Sequence, residues 1–356
     1  MSERALARID LAAITRNCRR LADELTGGAR LGVVVKADGY GHGAREAASA
    51  ALEAGAQRLF VATAVEAREL GEQPVGVVVM GALSPEELAI ATEAGAEVTA
   101  WSHEFVAALQ AGSRVHVKLD TGMGRLGTRD PDEATAVAEA TERAGAVVAG
   151  LMSHFATADE PGDAFFGEQL EAFSAWAEPL RARFPDALLH LSNSAGTLRD
   201  PACHFDLVRC GVAIYGLDPF QEHPATQRLE PALSLHSYVG AVKPLAVGES
   251  VGYGRRFVAE RPTTIATVPI GYGDGWRRGL TGNAEVVIGG VRYPLVGTVS
   301  MDNITIDVGP DSGVAVGDEV TLIGGGISAE EVARRLETIN YEVTCGLTAR
   351  VRRTHA

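Results

Sequence analysis

Cysteine is scarce in this chain of 356 residues. Cys18, Cys203, Cys210 and Cys345 are the four present, with neither the spacing of metal ligands nor the density of a disulfide scaffold. Reduced thiols and no metal site are therefore expected, in a cytoplasmic protein. Positive charge is short as well: 32 lysines and arginines stand against 46 aspartates and glutamates, a net charge of −14, and no basic run offsets it. A surface of that sign repels a phosphate backbone, which argues against nucleic acid as a partner. No apolar run is long enough to span a membrane, and residues 1–10 lack the apolar core of a signal peptide.

What is present is an alternation. Apolar strand candidates occur at 31–36, 59–63, 75–81, 96–101, 114–120, 147–154, 188–192 and 205–215. Alanine-rich amphipathic segments at 45–54, 64–70, 85–94, 103–111, 131–144 and 165–183 lie between most of them, and the seventh connection, 194–201, is short and weakly helical. Eight strands joined by right-handed crossovers predict a closed (β/α)8 barrel of TIM type. An open doubly wound sheet is the rival, but its Gly-x-Gly-x-x-Gly turn with a following acidic residue is missing. Residues 218–224 read as a linker. Beyond them come short β-type segments at 233–242, 263–269, 284–288, 291–296, 303–308 and 319–322, with a hairpin signal at Gly289-Gly290. A helix over 328–337, capped by Ser328 with Glu331, and a last strand through 343–351 complete the chain. The expected fold class is α/β, with the barrel over 1–225 and a mainly antiparallel β domain over 226–356. Residues 1–9 are open to a second assignment, as a strand of the β domain.

A (β/α)8 barrel builds its site at the C-terminal ends of its strands. That rule selects Lys36, Lys118, Asp120, Arg125, His154, Asn193, Ser194, Arg209 and Gly211. Lys36 follows an apolar strand, where an ammonium must reach water, a counter-ion or a covalent partner. The loop 192–196 offers hydroxyls and unhindered backbone N–H groups suited to a phosphate. One lysine and one phosphate cradle suggest pyridoxal 5'-phosphate, whose aldehyde forms a Schiff base with a lysine amine.

Independent motifs then coincide in order. Val35-Lys36-Ala37-Asp38-Gly39-Tyr40-Gly41-His42-Gly43, Lys118-Leu119-Asp120-Thr121-Gly122-Met123-Gly124-Arg125, Gly252-Tyr253-Gly254, Gly271-Tyr272-Gly273-Asp274-Gly275 and Ser300-Met301-Asp302 resemble the alanine racemases, fold-type III pyridoxal-phosphate enzymes. The resemblance implies interconversion of L-alanine and D-alanine for peptidoglycan, by a homodimer whose active sites are shared between subunits. It makes Lys36 the Schiff-base lysine. Tyr40, Asn193, Ser194, Gly211, Val212 and Tyr341 become cofactor contacts, with Arg209 facing the pyridine nitrogen and His154 beside it. Arg125 and Met301 would meet the substrate. Lys118 is a candidate for carbamylation, and Tyr272, Asp302 and Tyr341 would form the entrance gate.

Racemisation needs a proton removed from one face of Cα and delivered to the other, so two bases must flank it. The resemblance gives these as Lys36 and, from the partner subunit, Tyr253. Each assignment has a plainer rival: Lys118 as a strand lysine paired with Asp120, His154 as a core histidine like His116 and His190, Tyr272 and Tyr341 as domain packing. A racemase of other specificity such as serine, a fold-type III decarboxylase, and a non-catalytic pyridoxal-phosphate carrier are the rival functions. The decarboxylase is expected to place an acid where Arg209 stands and a cysteine where Tyr253 stands, and the carrier lacks a β domain. The family often has alanine at positions 39 and 273 and cysteine at 300, where this chain has Gly39, Gly273 and Ser300. Residues 349–353 also lack the family's usual proline.

Overall fold

The computed structural model describes residues 4–356 and divides into two compact units. One comprises residues 14–220 and 227–229, the other residues up to 13, 221–226 and 230–356. Strand β1 (Leu6–Ile9) belongs to the unit that also ends the chain. The barrel unit follows with β2 (Arg30–Val34), β3 (Arg58–Val61), β4 (Gly76–Val79), β5 (Glu97–Ala100), β6 (Arg114–Lys118), β7 (Val147–Met152), β8 (Leu188–His190) and β9 (Leu207–Cys210). All eight pair in parallel, in the order β8-β7-β6-β5-β4-β3-β2-β9. Across the remaining seam Asp206 N donates to Leu189 O and Arg209 N to Ser192 O, at 3.0 and 2.9 Å. The expected barrel is therefore the observed one.

Local chemistry explains the elements. Leu31, Val33 and Val34 are all buried, as a strand covered on both faces requires. The helix Pro131–Arg143 starts on Asp130, which accepts from Asp132 N and Glu133 N, and it buries Ala134, Val137, Ala138 and Thr141 at helical spacing. Helices Ala64–Leu70 and Pro85–Glu93 open on complete capping boxes, Thr63 with Glu66 and Ser84 with Glu87. The predicted eighth strand is shorter than expected. It stops at Cys210, and Val212–Tyr215 form a 3-10 turn, so Gly211 sits just past the strand rather than on it.

The second unit continues with β10 (Leu233–Tyr238), β11 (Ala241–Leu245), β12 (Ser250–Val251), β13 (Phe257–Val258), β14 (Thr263–Val268), β15 (Glu285–Ile288), β16 (Val291–Val296), β17 (Ile304–Asp307), β18 (Glu319–Ile323) and β19 (Arg352–His355). A nine-stranded sheet runs β11-β14-β17-β16-β15-β18-β10-β1-β19, antiparallel except for the β1–β19 pair, and β12-β13 form a separate ribbon. The N-terminal strand is thus part of this sheet. Gly289 and Gly290 both take positive φ, 58° and 82°, in the β15–β16 hairpin turn.

Two expectations are corrected here. Residues 340–345 form a helix, Asn340–Cys345, and the last strand is β19 instead of 343–351. Val343 and Thr344 favour strands by propensity. Burial of Asn340, Val343, Thr344 and Leu347 on one helical stripe prevails, and Asn340 Nδ2 donates to the buried Glu330 Oε1 at 2.8 Å. The linker also begins later than expected: Asp218 and Pro219 are buried in the barrel unit.

The barrel interior leaves little space. A Cβ at Gly32 would lie 2.6 Å from Phe60 Cε2 and 2.7 Å from Val208 O. Gly32→Ala is therefore expected to destabilise the protein by about 1–3 kcal/mol through overpacking, seen as a lower urea midpoint. Val147→Ala, at an exposed position, should stay within about 0.5 kcal/mol. Equal midpoints for the two variants would contradict this reading of the core.

Candidate active site

Lys36 lies two residues past the end of β2 and opens an unusual turn. Ala37, Asp38, Gly39, Tyr40 and Gly41 all have positive φ, between 51° and 83°, so the chain makes one turn of left-handed helix. L-residues resist that conformation by roughly 1–2 kcal/mol each. Neighbours impose it. Glu66 Oε1 accepts from Ala37 N at 2.7 Å while its Oε2 accepts from Ala62 N and Thr63 N, and Asp38 Oδ1 accepts from Ala44 N. His42 Nδ1 donates back to Gly39 O and Tyr40 O, and its ring stacks on Tyr215 at 4.5 Å.

The turn delivers Tyr40 to the start of the 3-10 segment. A Cβ at Gly211 would lie 2.4 Å from the Tyr40 hydroxyl, and only glycine leaves that approach open. Ser194 Oγ accepts from Gly211 N at 2.9 Å and from Ala213 N at 3.3 Å. Two hydroxyls and the backbone of residues 211–213 thus converge beside a missing side chain. Asn193 serves differently: its Oδ1 accepts from Gly196 N at 2.9 Å and caps the helix Ser194–Arg199.

On the opposite strands the rim is cationic. Lys118 ends β6, is 4% exposed, and has its pKa lowered to about 8 by burial, with Arg209, Arg125 and Lys36 adding to the effect. Asp120 partly opposes them, but its oxygens accept from Gly122 N, Gly124 N and Arg129. Arg125 lies exposed in the loop Asp120 shapes. Such an excess of cations over carboxylates suits an anionic ligand.

Arg209, on β9, is 2% exposed and remains protonated although burial lowers its pKa to about 10. Its Nη1 donates to His190 Nδ1 and His190 O, both at 2.9 Å. Its Nη2 donates to Ser153 O, His154 Nδ1 and Leu191 O at 2.8, 3.1 and 3.1 Å. Nε has no hydrogen-bond partner among the described residues. Behind His190 the chain of contacts continues, with His190 Nε2 2.8 Å from His116 Nδ1 and His116 Nε2 2.7 Å from Glu97 Oε2. Burial and neighbouring cations, Arg209 first among them for His154 and His190, hold both rings neutral. The sequence reading left His116 and His190 as core histidines and missed Glu97. His116 shares the period-two face of β6 with Lys118, which is a signal for His116 alone; Glu97 has none, because it meets His116 only when β5 and β6 pair.

The remaining predicted residues lie in the β unit. Tyr253 is 74% exposed at the tip of the β12–β13 ribbon, its carbonyl accepting from Thr298 Oγ1 at 2.7 Å. Tyr272 and Met301 are exposed on two turns that clasp each other, Tyr272 N donating to Ser300 O and Gly273 N to Met301 O at 3.0 and 2.9 Å. Asp302 is half exposed beside them and pairs with Arg350. Segment 298–302 therefore touches both the Tyr253 turn and the Tyr272 turn. Tyr341 sits in the first turn of the helix Asn340–Cys345. Among the described residues no cluster of three or more His, Cys, Asp or Glu could hold a metal, and no helix is long and apolar enough to cross a membrane.

Comparison with known proteins agrees with this picture. Residues 9–219 match the alanine racemase N-terminal domain and residues 232–355 the alanine racemase C-terminal domain. An alanine racemase of Symbiobacterium thermophilum is 40% identical, the match covering 98% of this chain and 96% of that protein. The alanine racemase from E. faecalis superposes with a TM-score of 0.93 at 37% identity, over 99% of this chain and 98% of that one. The alanine racemase from Bartonella henselae, solved with covalently bound pyridoxal phosphate, superposes with a TM-score of 0.89 at 30% identity, over 99% of this chain and all of that one. By sequence and by fold, the chain belongs to the alanine racemase family.

Proposed function

We propose that this chain interconverts L-alanine and D-alanine with pyridoxal 5'-phosphate held at the mouth of the barrel, as a homodimer in the cytoplasm, and that its D-alanine serves peptidoglycan. One observation carries the reading: a cationic rim with Lys36 in it faces a cradle of hydroxyls and backbone at Gly211 that a side chain would fill. The donor set fits the cofactor. Tyr40 and Ser194 offer hydroxyls, Gly211, Val212 and Tyr341 complete the phosphate contacts, and the unengaged Nε–H of Arg209 suits a ring nitrogen that accepts. Bound there, the cofactor supplies a carbonyl carbon that takes up an amine and a conjugated ring that acidifies the adjacent Cα–H.

The chain's residues do the rest. Lys36 moves the Cα proton on one face, and Tyr253 of the partner subunit moves it on the other. Arg209 cannot release a proton at neutral pH, so it donates to the ring nitrogen without protonating it. That limits the electron demand at Cα and disfavours side reactions. His154 accepts from Arg209 through Nδ1, so its proton resides on Nε2, ready to donate to a phenolate. Arg125 and Met301 hold the substrate carboxylate end. Tyr272, Asp302 and Tyr341 narrow the entrance, so bulk excludes longer side chains. Asn193 contributes through its cap, by fixing where Ser194 stands.

Incubation with L-alanine in deuterated water tests the reaction: Cα exchange should accompany loss of optical rotation. Exchange with rotation retained, or release of carbon dioxide, would count against racemisation. Lys36→Ala protein should lose both the visible absorption of the bound cofactor and the activity. A second experiment addresses sharing between subunits. Mixed Lys36→Ala and Tyr253→Phe proteins should regain activity through hybrid dimers that carry one intact site, and none regained after demonstrated subunit exchange would exclude the cross-subunit base.

Lys118 is proposed to carry a carbamate that holds Arg125. The neutral amine attacks carbon dioxide, the N–C bond forms as one C=O pair moves to oxygen, and a proton leaves. With a pKa of about 8, the neutral fraction near pH 8 exceeds that of an ordinary lysine by on the order of a hundredfold. Intact-mass analysis in bicarbonate above pH 8 should find one added carbon dioxide, lost on acidification and absent from Lys118→Ala. An unmodified amine under those conditions would sink the idea.

A further inference from the structure

The turn 271–275 carries three glycines, and they are not equivalent. A Cβ at Gly271 would lie 2.2 Å from Ser300 O and 2.6 Å from Met301 O. At Gly275, where φ is 103°, it would lie 2.3 Å from Gly346 O. Both collide with backbone. At Gly273 the Cβ would lie 2.2 Å from Arg350 Nη1, with Met301 O at 3.1 Å and Met301 Cγ at 3.2 Å. What stands in the way there is chiefly the far end of a flexible side chain.

That side chain does specific work. Arg350 Nη2 donates to Asp302 Oδ1 at 2.6 Å, and Arg350 Nε lies 3.4 Å from Asp274 Oδ1. Asp274 is fully buried and has other partners, since Arg4 Nη1 donates to its Oδ2 at 3.0 Å and Gly271 N does so at 2.9 Å. Asp302 is 53% exposed at its side chain and has Arg350 as its one hydrogen-bond partner among the described residues. Displacing the guanidinium therefore leaves Asp274 satisfied and sets Asp302 loose.

We propose that Gly273 is a specificity-determining position that acts through Arg350: the space left by the missing side chain admits the guanidinium, which clamps the Met301–Asp302 turn against the turn carrying Tyr272. The proposal rests on the reading of Met301 as a substrate contact and of Tyr272 and Asp302 as the gate. Met301 is held directly by Gly273 N and Asp302 only through Arg350. A methyl group at 273 pushes the guanidinium off Asp302 and presses on Met301. The turn then gains freedom, the substrate carboxylate end is held less firmly, and the entrance admits a longer side chain.

The test uses the cofactor-loaded enzyme with Gly273→Ala, Arg350→Met and the double variant. Amide hydrogen exchange over residues 299–303 should rise in both single variants. KM for alanine should rise roughly two- to fivefold, the range of an exposed ion pair, with kcat little changed. The ratio of kcat/KM for serine to that for alanine should rise by a similar factor. The double variant should go no further than the stronger single one, because both remove the same clamp. Gly271→Ala, which meets backbone, should instead lower the thermal midpoint. Unchanged exchange and selectivity in Gly273→Ala, or additive effects in the double variant, would overturn the proposal. An unaltered chain that fails to racemise alanine would sink the reading of the site, while the exchange data would still judge the clamp.

Discussion

The site is organised around one buried cation. Arg209 is almost wholly enclosed, and among the described residues no carboxylate touches it. Its Nη groups are met by three carbonyl oxygens and two imidazoles. Hydrogen positions follow from one fixed end. An ionised carboxylate only accepts, so His116 Nε2–H donates to Glu97, leaving His116 Nδ1 as an acceptor for His190 Nε2–H. His190 Nδ1 then accepts from Arg209. Burial alone would raise the Glu97 pKa, but the His116 hydrogen bond with Arg58 and Arg114 brings it to about 2. The countercharge therefore stays at the far end of two neutral rings, and the positive charge stays at the mouth. A carboxylate placed directly against Arg209 would have cancelled the positive charge that now stands at the mouth.

The left-handed turn after Lys36 depends on the same economy of fixed partners. Three non-glycine residues, Ala37, Asp38 and Tyr40, adopt a conformation that each resists. Glu66 holds the turn at its start, while His42 and Asp38 hold it further on. Strain of this kind persists only where the surroundings over-determine the backbone. Here they bring the Tyr40 hydroxyl against Gly211, just past β9, the strand that pairs with β2. The turn's hydrogen bonds are made within the chain, and a backbone fixed in that way lowers the ordering that binding requires.

Much of this could be read in the sequence, for identifiable reasons. Strand-helix alternation marks a barrel because both elements have strong periodicities, and the barrel places functional groups at strand ends whatever the family. Lys36, Lys118, His154, Ser194 and Arg209 follow from that rule. Other features were invisible because they depend on contacts far apart in the chain. Glu97 and His116 join only when β5 and β6 pair, and Asn340–Cys345 is a helix only because Glu330 and the buried stripe favour it over strand propensity. Nor does a glycine disclose in sequence whether it is present for its φ or for its missing Cβ. Gly39 has φ +60°, while Gly211 at φ −112° is needed for the space it leaves.

The two units differ in how they hold their functional groups, and the difference suits what each is asked to do. In the barrel Lys118 and Arg209 are charged and buried, and around Arg209 the interior supplies carbonyls and imidazoles. In the β unit Tyr253, Tyr272 and Met301 are exposed on short turns, and the carboxylate of Asp302 is held by Arg350. What those turns need is position. Hydrogen bonds to the backbone provide it: Thr298 Oγ1 on the Tyr253 carbonyl, and the peptides of Tyr272 and Gly273 on Ser300 and Met301. An exposed side chain such as that of Tyr253 has little packing to order it, so the hydrogen bond on its carbonyl does that work. Segment 298–302 is therefore to the β unit what Arg209 is to the barrel, the element through which otherwise separate groups share one geometry.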